Sequence, residues 1–461
     1  MAESIWISIA QALAKIGGKD ILPPEVATND VNIMEWWAVY RAKASWLDYQ
    51  YVTADAVKRT RKRLTMNPAR IACSEIAGLV LAEQPQIVVS DQVQACLDAN
   101  GFWSNLRKNL EFQASLGGQA IKIFKESELV GLDFVKAYNF IPLEWDNTKI
   151  TEAAFLDRRV SNRKSYVRVE THRQAEDGYE ITSKAYDEAT GIEVSLASVW
   201  PGVEASVIVS TPYPLFVYIP NPESNNIDPE SPLGVSIYAN AMDTIQALDM
   251  AFDGFNTEIL MGRQRIALPA SAMKKYVDPE DGRQKLGFDP TDAAYVRLST
   301  DDTSKFTATD LSGQLRVEQF RLAINTLLSV YAAQIGFDSG YFSFDGKSMK
   351  TATEVISENS HTYKTIQAYR DNLKTALIQL FRAIDVVSGG QAVDPQITFD
   401  DGVIEDRNSR ANYHMALVQN KLEDPISAIK AIHGLDDAGA EEMYAKIQAN
   451  QPRVSDPFAQ P

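Results

Sequence analysis

The stretch most suggestive of chemistry is Gly346-Lys347-Ser348, inside GFDSGYFSFDGKSMK at 336–350. A phosphate-binding loop needs Gly, four residues and then Gly-Lys-Ser/Thr, so that backbone amides curl round the phosphates while the lysine reaches them. Here Gly340 is followed by five residues, and Tyr341 holds the place where the first glycine belongs. The segment ahead reads as helix, not strand, and no apolar strand ending in Asp-Glu offers a second magnesium ligand. The loop therefore fails the nucleotide-binding test on spacing and context. A nucleotide- or nucleic-acid-processing enzyme using Gly346-Lys347-Ser348 stays as the alternative function.

Other reactive residues are dispersed. His172, His361, His414 and His433 form no His-Glu-x-x-His and read as surface or packed histidines. Asp400-Asp401 with Glu405 and Asp406 could hold a cation, or could serve as turn and cap residues after a strand. No Gly-x-Ser-x-Gly elbow occurs. Cys73 and Cys96 lack metal spacing and fit a reducing compartment. The expectation is no enzyme, no catalytic residue, no metal and no cofactor.

A basic run, Lys58, Arg59, Arg61, Lys62 and Arg63, stands out in a chain with 45 basic and 61 acidic residues and a net charge of −16. Read as consecutive helix positions it faces several directions, either as a solvated, salt-bridged face or as a patch for nucleic acid or a partner. The acidic balance opposes general nucleic-acid binding. The N-terminus lacks the pattern of a signal peptide, and no stretch approaches 18 uninterrupted apolar residues. The expectation is a soluble intracellular protein without a membrane span.

At 461 residues the chain suits several subdomains around more than one core. Residues 1–80 read as helices with interleaved aromatics. From 86 to 219 short β-branched or aromatic runs such as QAIKIF, FIPLEW, KSYVRVET and PLFVYI alternate with turns, predicting an antiparallel sheet region with a helix near 102–116. After a Pro/Asn/Ser-rich connector, Tyr238, Ala241, Ile245, Leu248, Phe252, Phe255 and Ile259 recur in steps of three and four. A second seam follows at Val317, Phe320, Ile324, Leu327, Tyr331 and Ile335. Between them lies a small insert, with an RIALP strand, a short helix near SAMKKY and AAYVRLS. The economical topology is an antiparallel helical hairpin with that insert at its tip.

The loop 336–350 interrupts helical rhythm with Gly336, Gly340 and Gly346. A narrow stripe of Ala352, Ile356, Tyr363, Ile366, Leu373, Leu377, Leu380 and Ile384 then predicts a helix over 351–387, about 55 Å long. A strand at 395–401, two or three short helices and a polar tail close the chain.

Taken in order, PLFVYIPNPESNNIDPESPLGVSIYANAMDTIQALD, the RIALP insert, the glycine-rich loop and GKSMKTATEVISENSHTYKTIQAYRDNL make the chain resemble the portal proteins of tailed double-stranded DNA bacteriophages, of the siphophage type. The likeness spans nearly the whole length. Its most specific pieces are Thr351-Ala-Thr-Glu-Val355 and Pro232-Leu-Gly-x-Ser236.

The resemblance implies an α+β portal-type fold. Its parts would be a wing of helices and antiparallel sheet at 1–232, stem helices at 233–262 and 313–335, and a small α/β clip at 263–312. A tunnel loop at 336–350, a long tunnel-to-wing helix at 351–387, and a wing strand, crown helices and tail over 388–461 complete it. It implies a homododecamer at one capsid vertex of the virion, assembled in the host cytoplasm. That ring would be the channel for genome packaging and ejection. Its partners would be the terminase large subunit, the head–tail adaptor, the major capsid protein, the scaffold and the double-stranded DNA passing through.

On this reading Lys347, Lys350, Tyr341 and Phe342 face DNA in the tunnel loop, unless the lysines pair with Asp338, Asp345 or Glu354. Tyr238, Ile245, Leu248, Phe252, Phe255, Ile259, Phe320, Ile324 and Tyr331 pack stem against stem between subunits. A purely structural ring or adaptor without DNA passage is the remaining alternative.

Overall fold

A computed structural model describes residues 24–52, 56–126, 129–147, 149–175, 178–262, 266–267, 274–277, 282, 284–287, 309–310, 314–344, 361–399, 407–433 and 437–449. The chain divides into two compact units: Met1–Trp46 with Asn67–Ile245 and Leu328–Pro461, and Leu47–Met66 with Gln246–Leu327. It mixes helices with antiparallel sheets, an α+β fold.

In the larger unit, a six-stranded sheet runs in the order Glu193–Val194, Gly178–Asp187, Lys164–Ala175, Lys149–Ser161, Phe140–Asp146, with Ser206–Val209 also pairing to Gly178–Asp187. A three-stranded sheet places Gly118–Glu126 between Phe216–Pro220 and Leu129–Lys136. The predicted strands and the helix at Phe102–Leu116 appear where the alternation and the aromatic content put them. The late strand Gln396–Thr398 returns to pair with Gln86–Val88.

The helix His361–Val387 runs through the core of this unit, about 40 Å long at 1.5 Å per residue. Ile366, Tyr369, Leu373, Leu377, Leu380, Phe381 and Ile384 are buried along it. That face is broader than the stripe in the sequence because Thr362, Arg370 and Asp385 are buried too. Arg370 reaches the last carbonyls of the helix Pro68–Val80, with Nε 3.3 Å from Val80 O and Nη2 3.5 Å from Leu79 O. A guanidinium satisfies orphan carbonyls at a helix C-terminus and complements its dipole, so this polar side chain belongs in the core. The expected start of this helix at Thr351 lies outside the described residues.

The first seam helix runs Met242–Met261 behind a single tight turn at Ala239–Ala241, later than the expected 233. Residues 233–237 are instead stitched to the helix Phe102–Leu116. Asn221 donates from N to Gly117 O at 2.8 Å and from Nδ2 to Ala114 O and Val235 O at 3.1 and 2.9 Å, and Ile237 N donates to Ala114 O at 3.0 Å. Gly117 and Gly234 meet backbone to backbone: a Cβ on Gly234 would lie 2.2 Å from Gly117 O. These bonds compete with helix formation before Tyr238.

In the smaller unit the expected helix over 1–80 gives way to a β-hairpin, Asp48–Val52 with Lys58–Lys62, in a register pairing Tyr49 with Arg61 and Tyr51 with Arg59. Tyr, Val and Thr favour strands, and no apolar repeat at helical spacing holds this segment in a helix. Because the hairpin groups with 246–327, the span 1–232 is not one continuous unit. A second correction falls in the insert. Lys274–Val277 is a strand paired with Gln284–Gly287, not a helix near SAMKKY. Ile266–Ala267, within RIALP, pairs with Thr309–Asp310. AAYVRLS lies outside the described residues.

Candidate functional site

The helix Val317–Gln334 ends on Gly336, which takes φ +80, and Phe337 N donates back to Ala332 O at 2.8 Å. This is a left-handed glycine closing a helix end. The chain then enters the loop that the sequence singled out, and its way out is bound to its way in. Thr365 Oγ1 donates to Gly336 O at 2.7 Å. Asp338 accepts the His361 N–H on Oδ1 at 3.0 Å and the Thr362 hydroxyl on Oδ2 at 2.9 Å, while Asp338 N donates to Thr362 Oγ1 at 2.9 Å.

A carboxylate that accepts the first N–H of a helix satisfies an orphan donor and meets the positive end of the dipole. Burial raises the Asp338 pKa, but the bonds from His361 and Thr362 outweigh it and hold the carboxyl below its ordinary value. The segment 345–360, with Lys347 and Lys350, lies outside the described residues.

Tyr341 and Phe342, expected to face DNA, are half-buried and make contacts within their own chain. Phe337, Tyr341 and Phe342 form an aromatic knot with ring centroids 4.7 to 5.2 Å apart, and Tyr331 lies 6.1 Å from Phe342. Tyr341 donates its hydroxyl to Glu75 Oε2 at 3.0 Å. Large rings beside a buried Phe337 gain more from apolar contact than from solvent, so they anchor the loop. Phe344 is the exposed ring of this segment.

The residues expected to pack between subunits differ in how far their own chain covers them. Tyr238, Ile245, Leu248, Ile324 and Tyr331 are buried within the chain. Tyr238 donates to Trp36 O at 2.9 Å and shares a bond with Ser115 Oγ, and Tyr331 donates to Pro68 O at 3.0 Å. A stripe at steps of three and four marks the face a helix buries, and here its own chain covers that face. Phe252, Phe255 and Phe320 are half-buried, with Phe255 and Phe320 centroids 6.0 Å apart, and Ile259 is exposed. Among the described residues of these helices, Met250, Leu260, Leu322 and Val330 are open and off the predicted seams, and Val317, on the second seam, is open as well.

Within the smaller unit, Arg316 grips Glu258 with Nε to Oε1 at 3.0 Å and Nη2 to Oε2 at 2.7 Å. The C-terminal end of one seam helix thus lies beside the start of the other, and the insert leaves and returns at one place. The basic hairpin is held to the first of these helices. Arg61 Nη2 donates to Asp253 Oδ1 at 3.0 Å and Thr257 Oγ1 at 3.2 Å, and Leu64 N donates to Asp253 Oδ1 at 3.2 Å. Sequence reasoning missed this pairing; an acidic residue on the polar flank of a seam was its only signal.

His172 and His414 are held by neighbouring carboxylates, whereas His361 and His433 are exposed. Buried His172 lies 2.9 Å from Glu170 Oε1 through Nε2 and 3.3 Å from the Tyr179 hydroxyl through Nδ1, and Lys122 Nζ reaches Glu170 at 2.8 Å. Burial lowers the His172 pKa, and one donor plus one acceptor suits a neutral ring. His414 pairs with Glu423 at 2.7 Å. Cys73 and Cys96 are both free and buried. Asp400, Asp401, Glu405 and Asp406 lie outside the described residues. Among the described residues no group of three or more His, Cys, Asp or Glu could hold a metal, and no helix is long and apolar enough to cross a membrane.

These contacts hold one described element against another. A family model described as phage portal protein, SPP1 Gp6-like, matches residues 29–453 of the 461. A search of curated proteins found no match.

Proposed function

Because this chain belongs to the phage portal proteins of the SPP1 Gp6-like family, we propose that twelve copies close into a ring at one capsid vertex and form the channel through which the genome is packaged and ejected. The family is structural rather than catalytic. The terminase large subunit docks on the insert at 263–312 during packaging, and the head–tail adaptor takes its place afterwards. The major capsid protein and the scaffold meet the outer part of the ring. The seam helices are the stem, 336–350 is the tunnel loop and the helices at 407–449 belong to the crown.

The family match over residues 29–453 carries this reading. The clasp at Gly336, Asp338, His361, Thr362 and Thr365 gives it a mechanism, since a loop fixed at its base can meet DNA without unravelling the helices that carry it. Lys347 and Lys350 touch phosphates weakly, as point charges. A net charge of −16 per copy keeps the duplex from adhering to the wall. Their rival partner Asp338 already has both carboxylate oxygens engaged.

Negative-stain top views of the purified protein test the ring: spokes round a bore wide enough for a duplex support it, and a bore too narrow for one favours an adaptor without DNA passage. A photoreactive residue at position 347 tests the loop. Transfer of label to DNA during packaging supports the channel role, and label found only on protein refutes it.

A further inference from the structure

The long hairpin of the six-stranded sheet has no place in the channel mechanism. Its strands, Lys149–Ser161 and Lys164–Ala175, close on the pair Ser161–Lys164. Asn162 and Arg163 between them both take positive φ, +50 and +64, so the turn is a tight two-residue one. Four cations crowd this end: Arg158, Arg159, Arg163 and Lys164. The carboxylates beside them are already engaged. Glu188 pairs with Arg158 at 3.1 Å, and Asp187 accepts the N–H groups of Ala189 and Thr190 at 3.1 and 3.0 Å. Arg159 donates to a neutral partner, Val199 O, at 2.8 Å. Arg163 and Lys164 are exposed and make no ion pair among the described residues.

The other end of the same sheet carries the opposite charge. Glu144 stands directly opposite Glu152, and the strand registers continue that row through Arg173 to Glu180. Three carboxylates share one guanidinium there, and Arg173 is committed to Glu180 at 2.6 Å. Like charges facing each other across strands repel. Neither Glu144 nor Glu152 has an ion pair of its own among the described residues. Burial, with Glu144 and Glu180 alongside, pushes the Glu152 pKa up against the pull of Arg173. Along the strand Lys149–Ser161, Glu152 and Ser161 are about 30 Å apart, so the two charged ends cannot meet within one chain.

We propose that the basic end of this hairpin docks on the Glu144–Glu152 row of a neighbouring copy. Charge complementarity selects that occupant. One end of the sheet has cations without carboxylates, the other has carboxylates without cations, and both belong to this chain. Arg163 and Lys164 bring the positive charge; exposed Glu144 and half-buried Glu152 receive it. The two patches are different surfaces, so the contact is heterologous, the kind that a closed ring repeats from copy to copy. The inference rests on the ring reading and adds to it a charge-dependent contact in the larger unit.

Charge reversal in the full chain tests it. Arg163→Glu with Lys164→Glu, and separately Glu144→Lys with Glu152→Lys, should each raise the concentration for half-assembly about tenfold in mass photometry. All four changes in one chain should bring it back to within about threefold of wild type. A cysteine pair, Arg163→Cys with Glu144→Cys, should link copy to copy through a short bismaleimide, since the native Cys73 and Cys96 are buried. Normal assembly of both reversed pairs, absence of that link, or a fourfold variant weaker than either pair overturns the docking and leaves the ring reading intact. Duplex DNA bound by wild type and lost on Arg163→Glu with Lys164→Glu, at unchanged assembly, assigns the tip to DNA and overturns it as well. A wild-type chain that stays monomeric overturns both readings. Where circular dichroism shows a reversed chain to be unfolded, the cysteine pair decides alone.

Discussion

Gly234 shows at the single-residue scale why a short motif can carry more than its composition. A methyl group there would sit 2.2 Å from Gly117 O, a backbone atom that cannot step aside without moving the end of the helix Phe102–Leu116. Gly234→Ala is expected to cost about 3 kcal/mol or more, read as a fall in denaturation midpoint. Gly202→Ala, where nothing lies within 4 Å but φ is +88, is expected to cost about 1–2 kcal/mol. Equal losses at the two sites would remove the close-approach explanation. Pro232-Leu-Gly-x-Ser236 was legible as a motif, but its partner at 117 was not, because no local pattern encodes a contact across more than a hundred residues. Glu223 was equally invisible. Burial beside Tyr369 pushes its pKa up to about 7. The unfolded carboxyl ionises near 4.5 and the folded one later, so stability is full below 4.5 and is lost as pH rises through about 7. Denaturation of wild type minus Glu223→Gln across pH 4 to 8 should show that loss, and a flat difference would place Glu223 in solvent.

Elements follow their own logic, and here the apolar repeat both informed and misled. Steps of three and four located both seam helices, Met242–Met261 almost to its C-terminal end. The same repeat said nothing about what covers the seam, since burial in the chain and burial against a second copy produce one pattern. The basic run was misassigned to helix because charge has no period, while strand pairing with Asp48–Val52 is a long-range choice. Leu373, fully buried in the middle of His361–Val387, is the point where that helix holds the larger unit. Leu373→Ala is expected to destabilise by about 2–5 kcal/mol. Arg316→Ala removes a bidentate pair whose arginine is 66% exposed and screened by water, so its effect on stability should be much smaller than that of Leu373→Ala. Denaturant titration of both variants checks the order; a larger loss from Arg316→Ala would mean that the two helix ends depend on that pair more than on packing.

For the whole molecule the decisive contrast is between buried and open apolar residues on the same two helices. Ile245 is 1% exposed and Leu322 is 64% exposed, so a charge placed at each asks a different question. Ile245→Asp buries a carboxylate at a position only 1% exposed. The penalty of several kcal/mol falls on folding itself, and loss of the ring in that variant would follow from loss of the subunit. Leu322→Asp places the charge on a surface that water already reaches in the single chain, where stability should change by less than about 0.5 kcal/mol. In a ring whose neighbour covers that surface, the same charge meets apolar contact on every subunit, and the cost repeats at each interface round the closed circle. Leu322→Asp and Val330→Asp are therefore expected to keep the wild-type midpoint and helical circular dichroism while shifting light scattering from ring to single 51.1 kDa chain. Rings of normal mass from both variants would show that this face looks outward in the assembly. The packing between copies would then fall to seam residues that the chain itself leaves partly open, Phe252, Phe255, Ile259, Val317, Phe320 and Leu327.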